Sequence, residues 1–306
     1  MTPDVPASAP WCMAADPDTR RPRIVMPPGT CDTHAHVCGP FSRYEYAAER
    51  LYTPPDATWP MYRRMLDTLG VERAVLTQPS VYGTDNTALV DALAAGGAAV
   101  RGVAVVEPTI DDAALRALDA AGVRGVRINI VDRRENRNVL VLDELRPLAR
   151  RIAPLGWHIE FLLQADAVPD LAETCAKLPV PVVLGHLGYV HADKGGAANA
   201  GFQALLRWMG SGQCWVKLTG PYRISAEELP YDDVTPMANA LVAAAPERLL
   251  WGTDWPHVMM KKRMPNDADI ADLLLDWVPA AHRQAILVDN PKALYGFSKS
   301  RASLVR

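Results

Sequence analysis

The sequence has no long hydrophobic run and no excess of positive charge. No apolar stretch reaches the roughly 20 residues that a membrane-spanning helix needs, and residues 1–29 contain no basic start followed by an apolar block. With 32 basic and 35 acidic side chains, the formal net charge is −3, so no overall field draws the chain to nucleic acid or to a membrane. We therefore expect no secretory signal, no nucleic-acid partner and no membrane partner.

Cysteine is scarce, and low-complexity segments and short-period repeats are absent from the sequence. The cysteines are odd in number and scattered, without a C-x-x-C spacing. This pattern favours a reduced, cytoplasmic setting over a disulfide framework. The five cysteines are Cys12, Cys31, Cys38, Cys175 and Cys214.

From Thr30 onward, short β-branched runs alternate with longer helical patterns, separated mostly by Gly or Pro. Eight near-continuous apolar strands, each followed by a helix, predict a buried parallel sheet that closes into a (β/α)8 barrel, the TIM barrel of the α/β class. The alternative, a doubly wound open sheet, would have a Gly-rich turn after its first strand, and "THAHVCGP" is not one. The predicted strands are 30–36, 74–78, 102–106, 125–130, 157–163, 182–186, 215–219 and 249–254.

The chain is predicted to form one domain with two short extensions. Residues 1–28 form an irregular N-terminal arm rich in proline, residues 29–298 form the barrel, and residues 299–306 form a C-terminal tail. The stretch "LVDNPKALYGF" (287–297) predicts a strand-ending turn into a short helix that closes the barrel, with Asn290 as its N-cap and Pro291 at the first helical position. The predicted helices include 59–69, 85–95, 111–121, 142–155, 202–209 and 236–244.

Polar side chains recur where the predicted strands end. In a (β/α)8 barrel the carboxyl ends of all strands meet at one face, where active sites are built. His34 and His36 are two apart on one strand, so both are expected to point to the interior or mouth of the barrel. Buried polar groups are costly unless they are paired or used. The residues at or just after strand ends are His34, His36, Gln78, Ser80, Arg127, Asn129, Arg133, His186, Arg223, Asp254 and His257.

Three imidazoles and one carboxylate in this set suit two kinds of chemistry. They could hold a divalent metal such as zinc. Without metal, the carboxylate could take a proton from water while protonated imidazoles or arginines stabilise an oxyanion. A purely structural role, as hydrogen-bonded core histidines, is the third possibility. The four residues are His34, His36, His186 and Asp254.

Asp254 lies in "RLLWGTDWPH", between two tryptophans. This apolar frame predicts a raised pKa, which would suit a general base. The structural alternative is that Asp254 caps a following helix.

Arginines near the strand ends indicate an anionic ligand. Arg127 lies within "GVRGVRINI" at a position expected to face inward, and Arg133 and Arg223 follow strands 4 and 7. Guanidinium groups match carboxylates bidentately, so two or three at the barrel mouth predict a di- or polycarboxylate ligand. Arg124, by contrast, is expected at the opposite end of the barrel. The neutral residues that could add substrate contacts are Tyr52, Ser80 and His257.

Taken together, the motifs resemble a known family. "CDTHAH" after strand 1, "LGHLG" after strand 6 and "RLLWGTDWPH" at strand 8 are similar to the amidohydrolase superfamily, in its amidohydrolase-2 branch. "ERLYTPPDA", "GVRGVRINIVDR", "PYRIS", "MPNDADI" and "LVDNPKALY" further resemble the lactonases of that branch that act on 2-pyrone-4,6-dicarboxylate. The likeness runs from about Thr30 to Phe297 and implies a cyclic ester with two carboxylates as substrate.

The resemblance also implies roles for individual residues. The reaction centre would be His34, His36, His186 and Asp254, and the substrate would be bound by Tyr52, Ser80, Arg127, Arg133 and Arg223. Asp254 would accept a proton from water, and the histidines, with Arg223, would polarise the lactone carbonyl.

The sequence departs from the family pattern at two strands. Many superfamily members carry a metal-binding lysine on strand 4 and a histidine on strand 5, whereas this chain has Arg127 and Asn129, then Leu162 and Gln164. Leu162 also stands where the lactonases have a substrate-contacting tyrosine. We therefore expect a metal-independent hydrolase that requires no cofactor, acting as a monomer or homodimer.

Three alternatives stay open from the sequence. One is a sugar-acid lactone hydrolase or isomerase, and another is a hydrolase or decarboxylase with a single divalent metal, such as zinc, held by His34, His36, His186 and Asp254. The third is a barrel that binds carboxylates without turnover.

Overall fold

The computed structural model of the chain describes residues 9–132 and 138–298. Within them, eight parallel strands form one sheet in chain order, and an Ala35–Trp255 bridge joins the first strand to the segment after the last. The predicted (β/α)8 barrel is confirmed. The strands are β1 (Cys31–Ala35), β2 (Arg73–Thr77), β3 (Val100–Ala104), β4 (Val123–Asn129), β5 (His158–Leu162), β6 (Val182–Leu184), β7 (Cys214–Leu218) and β8 (Leu249–Trp251).

Helices cover the outside of the barrel. The first helix shows why: Tyr62, Met65, Leu66 and Leu69 are its buried residues, spaced on one face of a helix that ends at Gly70 with φ 77°. The α-helices are α1 (Trp59–Leu69), α2 (Thr87–Gly96), α3 (Asp112–Ala121), α4 (Leu142–Ile152), α5 (Leu171–Cys175), α6 (Ala200–Gly210), α7 (Thr235–Ala244), α8 (Asp267–Asp272), α9 (Leu274–Trp277), α10 (Ala280–Gln284) and α11 (Asn290–Tyr295).

The predicted turn at 287–289 is wrong. A π-helical segment, Ala285–Asp289, joins α10 directly to α11, so Asn290 lies inside a helical run and is not an N-cap. Its side-chain amide donates instead to Pro246 O and Leu249 O, both at 2.8 Å. The last helices are thereby fastened beneath β8.

The floor of the barrel is apolar. Tyr295 and Phe297, which follow the last strand, pack against inward side chains of several strands. Those buried partners are Cys31, Val75, Val103, Val183, Trp215 and Leu250. All five cysteines are free, and no helix among the described residues is long and apolar enough to cross a bilayer.

The chain before β1 is tied to loops at the rim of the barrel. Cys12 N–H donates to Thr53 O at 2.8 Å and Thr53 N–H to Pro10 O at 2.7 Å. Further on, Arg20 N–H donates to Asn266 Oδ1 at 3.1 Å. These bonds hold residues 9–20 against the segments that follow β1 and β8.

Candidate active site

Four predicted residues meet at the carboxyl end of the barrel. His34 Nε2 lies 3.5 Å and His36 Nε2 lies 3.7 Å from Asp254 Oδ1. The ring centroid of His186 is 5.1 Å from that of His34. All four side chains belong to residues that are at most 2% exposed. The expected convergence of the carboxyl ends of the strands therefore predicted that these four side chains would lie together.

An unusual backbone holds two of these groups in place. His186 and Asp254 both have positive φ, 50° and 65°, a conformation that side-chain-bearing residues seldom adopt and that concentrates at functional sites. Gly220, at φ 54°, leaves room between them, because a Cβ there would lie 2.7 Å from His186 Nδ1 and 2.9 Å from Asp254 Oδ2. The loop after β7 therefore requires a residue without a side chain at position 220.

The two oxygens of Asp254 have different surroundings. Oδ2 accepts hydrogen bonds from Arg223 Nε and from the Tyr222 hydroxyl, each at 2.6 Å. Oδ1 has no hydrogen-bond partner within the described residues. Because its side chain binds these two donors, Asp254 is not a helix cap.

The expectation of a raised pKa for Asp254 was wrong. Burial alone would raise the pKa, but Arg223, and then His186 and the other imidazoles, outweigh burial and hold the pKa of Asp254 well below its usual range. The neighbouring tryptophans predicted the burial correctly, yet the ion pair with Arg223, from the loop after β7, decides the protonation state. Asp254 is a carboxylate at neutral pH.

The histidines are neutral, and their partners limit what each can donate. Burial is the main cause that lowers the pKa of His34, His36 and His186. His36 Nδ1 lies 2.7 Å from Thr77 O, which can only accept, so neutral His36 has its proton on Nδ1 and a lone pair on Nε2. The predicted protonated imidazoles are therefore not the resting state.

His186 has the opposite arrangement. Its Nδ1 lies 2.9 Å from Thr219 Oγ1, and that oxygen also accepts the backbone N–H of His186 at 3.3 Å. The hydroxyl oxygen could accept from both groups, but among the described residues the Thr219 proton has no other acceptor, so the hydroxyl donates to Nδ1. The ring proton of His186 is then on Nε2, available to a ligand.

The predicted arginines differ in how many of their guanidinium donors are hydrogen-bonded within the protein. Arg223 donates to Asp254 and, through Nη2, to Val258 O at 3.2 Å. Arg127 is 7% exposed and donates to Gln78 O at 2.9 Å, while its Nε has no partner in the described part of the chain. Arg133 lies outside the described residues. Arg124 pairs with Asp119 at the amino end of β4, as predicted.

The neutral candidates fall into two groups. Tyr52 is buried among aromatic residues, beside Ser80, and burial raises the pKa of its hydroxyl. His257 is fully buried, with Nδ1 3.1 Å from the Tyr222 hydroxyl and Nε2 3.1 Å from Asp267 Oδ1. Both ring nitrogens of His257 are thus occupied by protein groups, which places it behind Tyr222 and corrects its predicted contact with substrate.

Sequence reasoning missed several residues at this site. Tyr222 stands next to the predicted Arg223, and Tyr189, with φ 56°, has its ring 5.8 Å from that of His186. Glu160 and Lys217 are buried charges on β5 and β7. A signal for the last two existed, since "WHIEFLL" and "WVKLT" each place one charge inside an otherwise apolar strand.

The residues at the ends of β4 and β5 bond to nearby loop groups. Asn129 Nδ2 donates to Asp132 Oδ2 at 2.7 Å, and Gln164 Oε1 accepts from Asn138 Nδ2 at 2.9 Å. Leu162, opposite Asn129 in the sheet, is 7% exposed and apolar. Asn129, Leu162 and Gln164 therefore add no charged group to the Asp254 end of the site.

Part of the cluster could hold a metal ion. His34, His186 and Asp254 offer ligand atoms within 4.8 Å of one another, whereas the predicted fourth ligand, His36, is not part of this group. His34 Nε2 and Asp254 Oδ1 are buried without partners among the residues described. Two imidazoles and one carboxylate fit a single divalent cation such as zinc.

Comparison with known proteins finds relatives that match most of the chain. A family profile for amidohydrolases matches residues 31–297. The chain is 40% identical over 285 residues to a 2-pyrone-4,6-dicarboxylate hydrolase from Comamonas testosteroni, covering 90% of this chain and 92% of the relative. It is 36% identical over 293 residues to a 4-sulfomuconolactone hydrolase from Hydrogenophaga intermedia, covering 94% and 95%. A crystal structure of a probable 2-pyrone-4,6-dicarboxylic acid hydrolase from Acinetobacter baumannii, with citric acid bound, has a TM-score of 0.79 and 27% identity, over 88% of this chain and 100% of that one.

Proposed function

The chain belongs to the amidohydrolase family, and we propose that it hydrolyses the lactone ring of a carboxylate-bearing substrate, 2-pyrone-4,6-dicarboxylate or a close analogue. The observation that carries the proposal is the difference between the two oxygens of Asp254. Arg223 and Tyr222 hold one oxygen by hydrogen bonds, and the other oxygen faces two imidazoles. The relatives named for lactone hydrolysis support this reaction, and the citric acid bound by one of them supports a substrate with several carboxylates.

We assign Asp254 and His36 the role of orienting the attacking water. Asp254 Oδ1 and His36 Nε2, 3.7 Å apart, are both acceptors, so a water that donates to both has its lone pair directed away from them. Asp254 takes the proton as the water attacks. Because the low pKa of Asp254 makes it a weak base, polarisation of the carbonyl must supply much of the catalysis.

We assign Arg223 and His186 to the stabilisation of the developing negative charge. Arg223 holds a fixed positive charge beside Asp254, and His186 presents its Nε2 proton because Thr219 occupies Nδ1. One such donor contributes roughly 100- to 1,000-fold to the rate in comparable sites. Fewer histidines than expected from the sequence can therefore polarise the lactone carbonyl, since neutral His36 cannot donate to it.

The carboxylates of the substrate are assigned to Arg127, with Ser80 and Tyr52 beside it. The unpartnered Nε of Arg127 (within the described chain) and its low exposure favour a desolvated, charge-assisted contact. Arg133 joins this group by family resemblance. His257 is assigned a different role, holding Tyr222 against Asp254.

We propose that the reaction needs no metal. The Arg223 guanidinium already neutralises Asp254 at 2.6 Å, which weakens the attraction of that carboxylate for a cation. If a divalent cation does bind, His34, His186 and Asp254 would hold it, and it would polarise the carbonyl as a Lewis acid.

We also propose a cytoplasmic setting, supported by the five free cysteines. We propose further that the protein acts as a monomer or homodimer.

A substrate screen tests the proposed function. Hydrolysis of 2-pyrone-4,6-dicarboxylate is followed by loss of its ultraviolet absorbance, and sugar-acid lactones are followed by acid release, before and after dialysis against a chelator. We expect turnover of the pyrone dicarboxylate that survives the chelator. Loss of activity that zinc restores would show a metal enzyme, and turnover of sugar lactones alone would contradict the substrate assignment.

Two arginines on β4 provide a matched pair for the carboxylate assignment. Arg127→Gln should raise KM for a dicarboxylate lactone about 10- to 100-fold, the loss of one hydrogen-bonded charge contact, and should change KM much less for a lactone without carboxylates. Arg124→Gln, at the amino end of the same strand, should leave both values unchanged. Equal effects of the Arg127 change on charged and uncharged lactones would contradict the assignment.

A further inference from the structure

A buried ion pair lies directly beneath the reaction centre. Glu160 on β5 and Lys217 on β7 are 1% and 0% exposed, and Lys217 Nζ donates to Glu160 Oε2 at 2.6 Å. Buried ion pairs add little net stability, because desolvating two charges offsets their attraction. The position of this pair, rather than its contribution to folding, is therefore the feature to explain.

The pair touches His34 on the side away from Asp254. His34 Nδ1 lies 3.1 Å from Glu160 Oε1 and 3.2 Å from Lys217 Nζ. If Glu160 accepts from Nδ1, neutral His34 has a lone pair on Nε2; if Lys217 donates to Nδ1, the ring proton is on Nε2. The two arrangements give His34 opposite roles toward Asp254.

A count of donors and acceptors favours the first arrangement. Lys217 has two shorter bonds, to Thr33 O and to Glu160 Oε2, both at 2.6 Å, and its ammonium lies 6.0 Å from the Tyr295 ring centroid, within cation–π range. Without the His34 proton, Glu160 Oε1 would keep only the Thr77 hydroxyl, at 3.5 Å, among the described groups. A buried carboxylate oxygen that lacks a donor is costly.

We propose that Glu160, held by Lys217, is a positioning residue that fixes the proton of His34 on Nδ1 and leaves a lone pair on Nε2 facing Asp254. His34 Nε2, His36 Nε2 and Asp254 Oδ1 then form a water-binding site made only of hydrogen-bond acceptors. A water molecule at this site has an acceptor for each of its protons. The inference deepens the proposed hydrolysis and rests on it for the water's role.

The first test reads the proton position directly in the full-length protein. Long-range ¹H–¹⁵N correlation spectra of ¹⁵N-histidine-labelled protein distinguish a protonated from an unprotonated ring nitrogen, and a His34→Gln sample assigns the His34 signals. We expect the proton of His34 on Nδ1. A proton on Nε2 would overturn the proposal, whether or not any lactone is turned over.

The second test changes the pair without leaving one charge alone. Glu160→Gln combined with Lys217→Met removes both charges at similar volume, and the side-chain amide introduced on β5 can donate to His34 Nδ1. We expect the ring proton to move to Nε2 and kcat to fall about 10- to 100-fold, with little change in KM. Asp272→Asn is the control, a buried carboxylate on α8 bonded to Arg23, and it should alter stability only.

Each remaining outcome of the second test has a clear meaning. A lower kcat with the proton still on Nδ1 would make the pair merely structural and contradict the proposal. A shifted proton with unchanged kcat would refute its catalytic relevance. If wild-type protein hydrolyses no lactone, the proposed function fails, while the spectra still decide the proton position.

Discussion

The two ends of the barrel use arginine in different ways. At the amino end, Arg73 and Arg101 lie over the Phe297 ring, with guanidinium carbons 5.4 and 4.8 Å from its centroid. At the carboxyl end, Arg223 is bound to the Asp254 carboxylate and Arg127 has an unpartnered nitrogen among the residues described. Two guanidinium groups contact an aromatic ring at one end, whereas at the other end such groups lie beside Asp254 and in the proposed substrate site.

The largest effect should come from the carboxyl end. Asp254→Asn keeps the shape of the side chain but removes the base, so kcat for lactone hydrolysis should fall about 100- to 10,000-fold. Circular dichroism and a thermal melt check that the variant is folded. Appreciable turnover by folded protein would remove Asp254 from the role of base and would weaken the contrast between the two ends.

A smaller, pH-dependent effect should come from His158, at the start of β5 and below the reaction centre. Burial lowers the pKa of His158 from 6.5 to about 4. As pH falls from 6.5 toward 4, the unfolded chain binds a proton at His158 that the folded chain excludes, so His158 should lower the free energy of unfolding by about 3 kcal/mol.

Urea denaturation between pH 7.5 and 4.5 measures this effect. The His158→Asn variant lacks the titrating group, so its stability should decline less steeply than that of the wild type as pH falls. The packing defect should shift the whole curve of the variant by a constant. Parallel curves for the two proteins would show that His158 does not titrate in this window.

The smallest effect should come from the amino end. Phe297→Leu removes the ring shared by Arg73 and Arg101, and two partly desolvated cation–π contacts suggest a loss of about 1–2 kcal/mol in the free energy of unfolding. Because the reaction centre is at the other end, kcat and KM should be unchanged. A kinetic change comparable to the loss of stability would show that the two ends are coupled.

Much of the fold followed from sequence because barrel strands are locally marked. β-branched runs between Gly and Pro gave all eight strands, although β3 is Val100–Ala104 rather than 102–106 and β8 ends at Trp251 rather than 254. β8 is shorter because Asp32 Oδ1 accepts the Thr253 N–H at 3.0 Å, which turns that segment toward β1. The helical character of 285–289 was missed, since its apolar residues fit either structure.

A property of the site was predictable only where it depends on the position of a residue along its own strand. His34, His36, His186 and Asp254 could be grouped, because the carboxyl ends of parallel strands converge. The protonation of Asp254 could not, since it depends on Arg223 from a loop after another strand. For the same reason the contacts of Glu160 and Lys217 with His34 could not be predicted, since they join β5 and β7 to β1.

Gly220 has a consequence for how this enzyme can vary. A side chain at that position would press on His186 and on Asp254 at once, at 2.7 and 2.9 Å from its first carbon. One residue without a functional group therefore constrains two side chains that are distant from it in the sequence. Any lineage that alters it must readjust both groups together, so this loop is a poor starting point for engineering a new substrate preference.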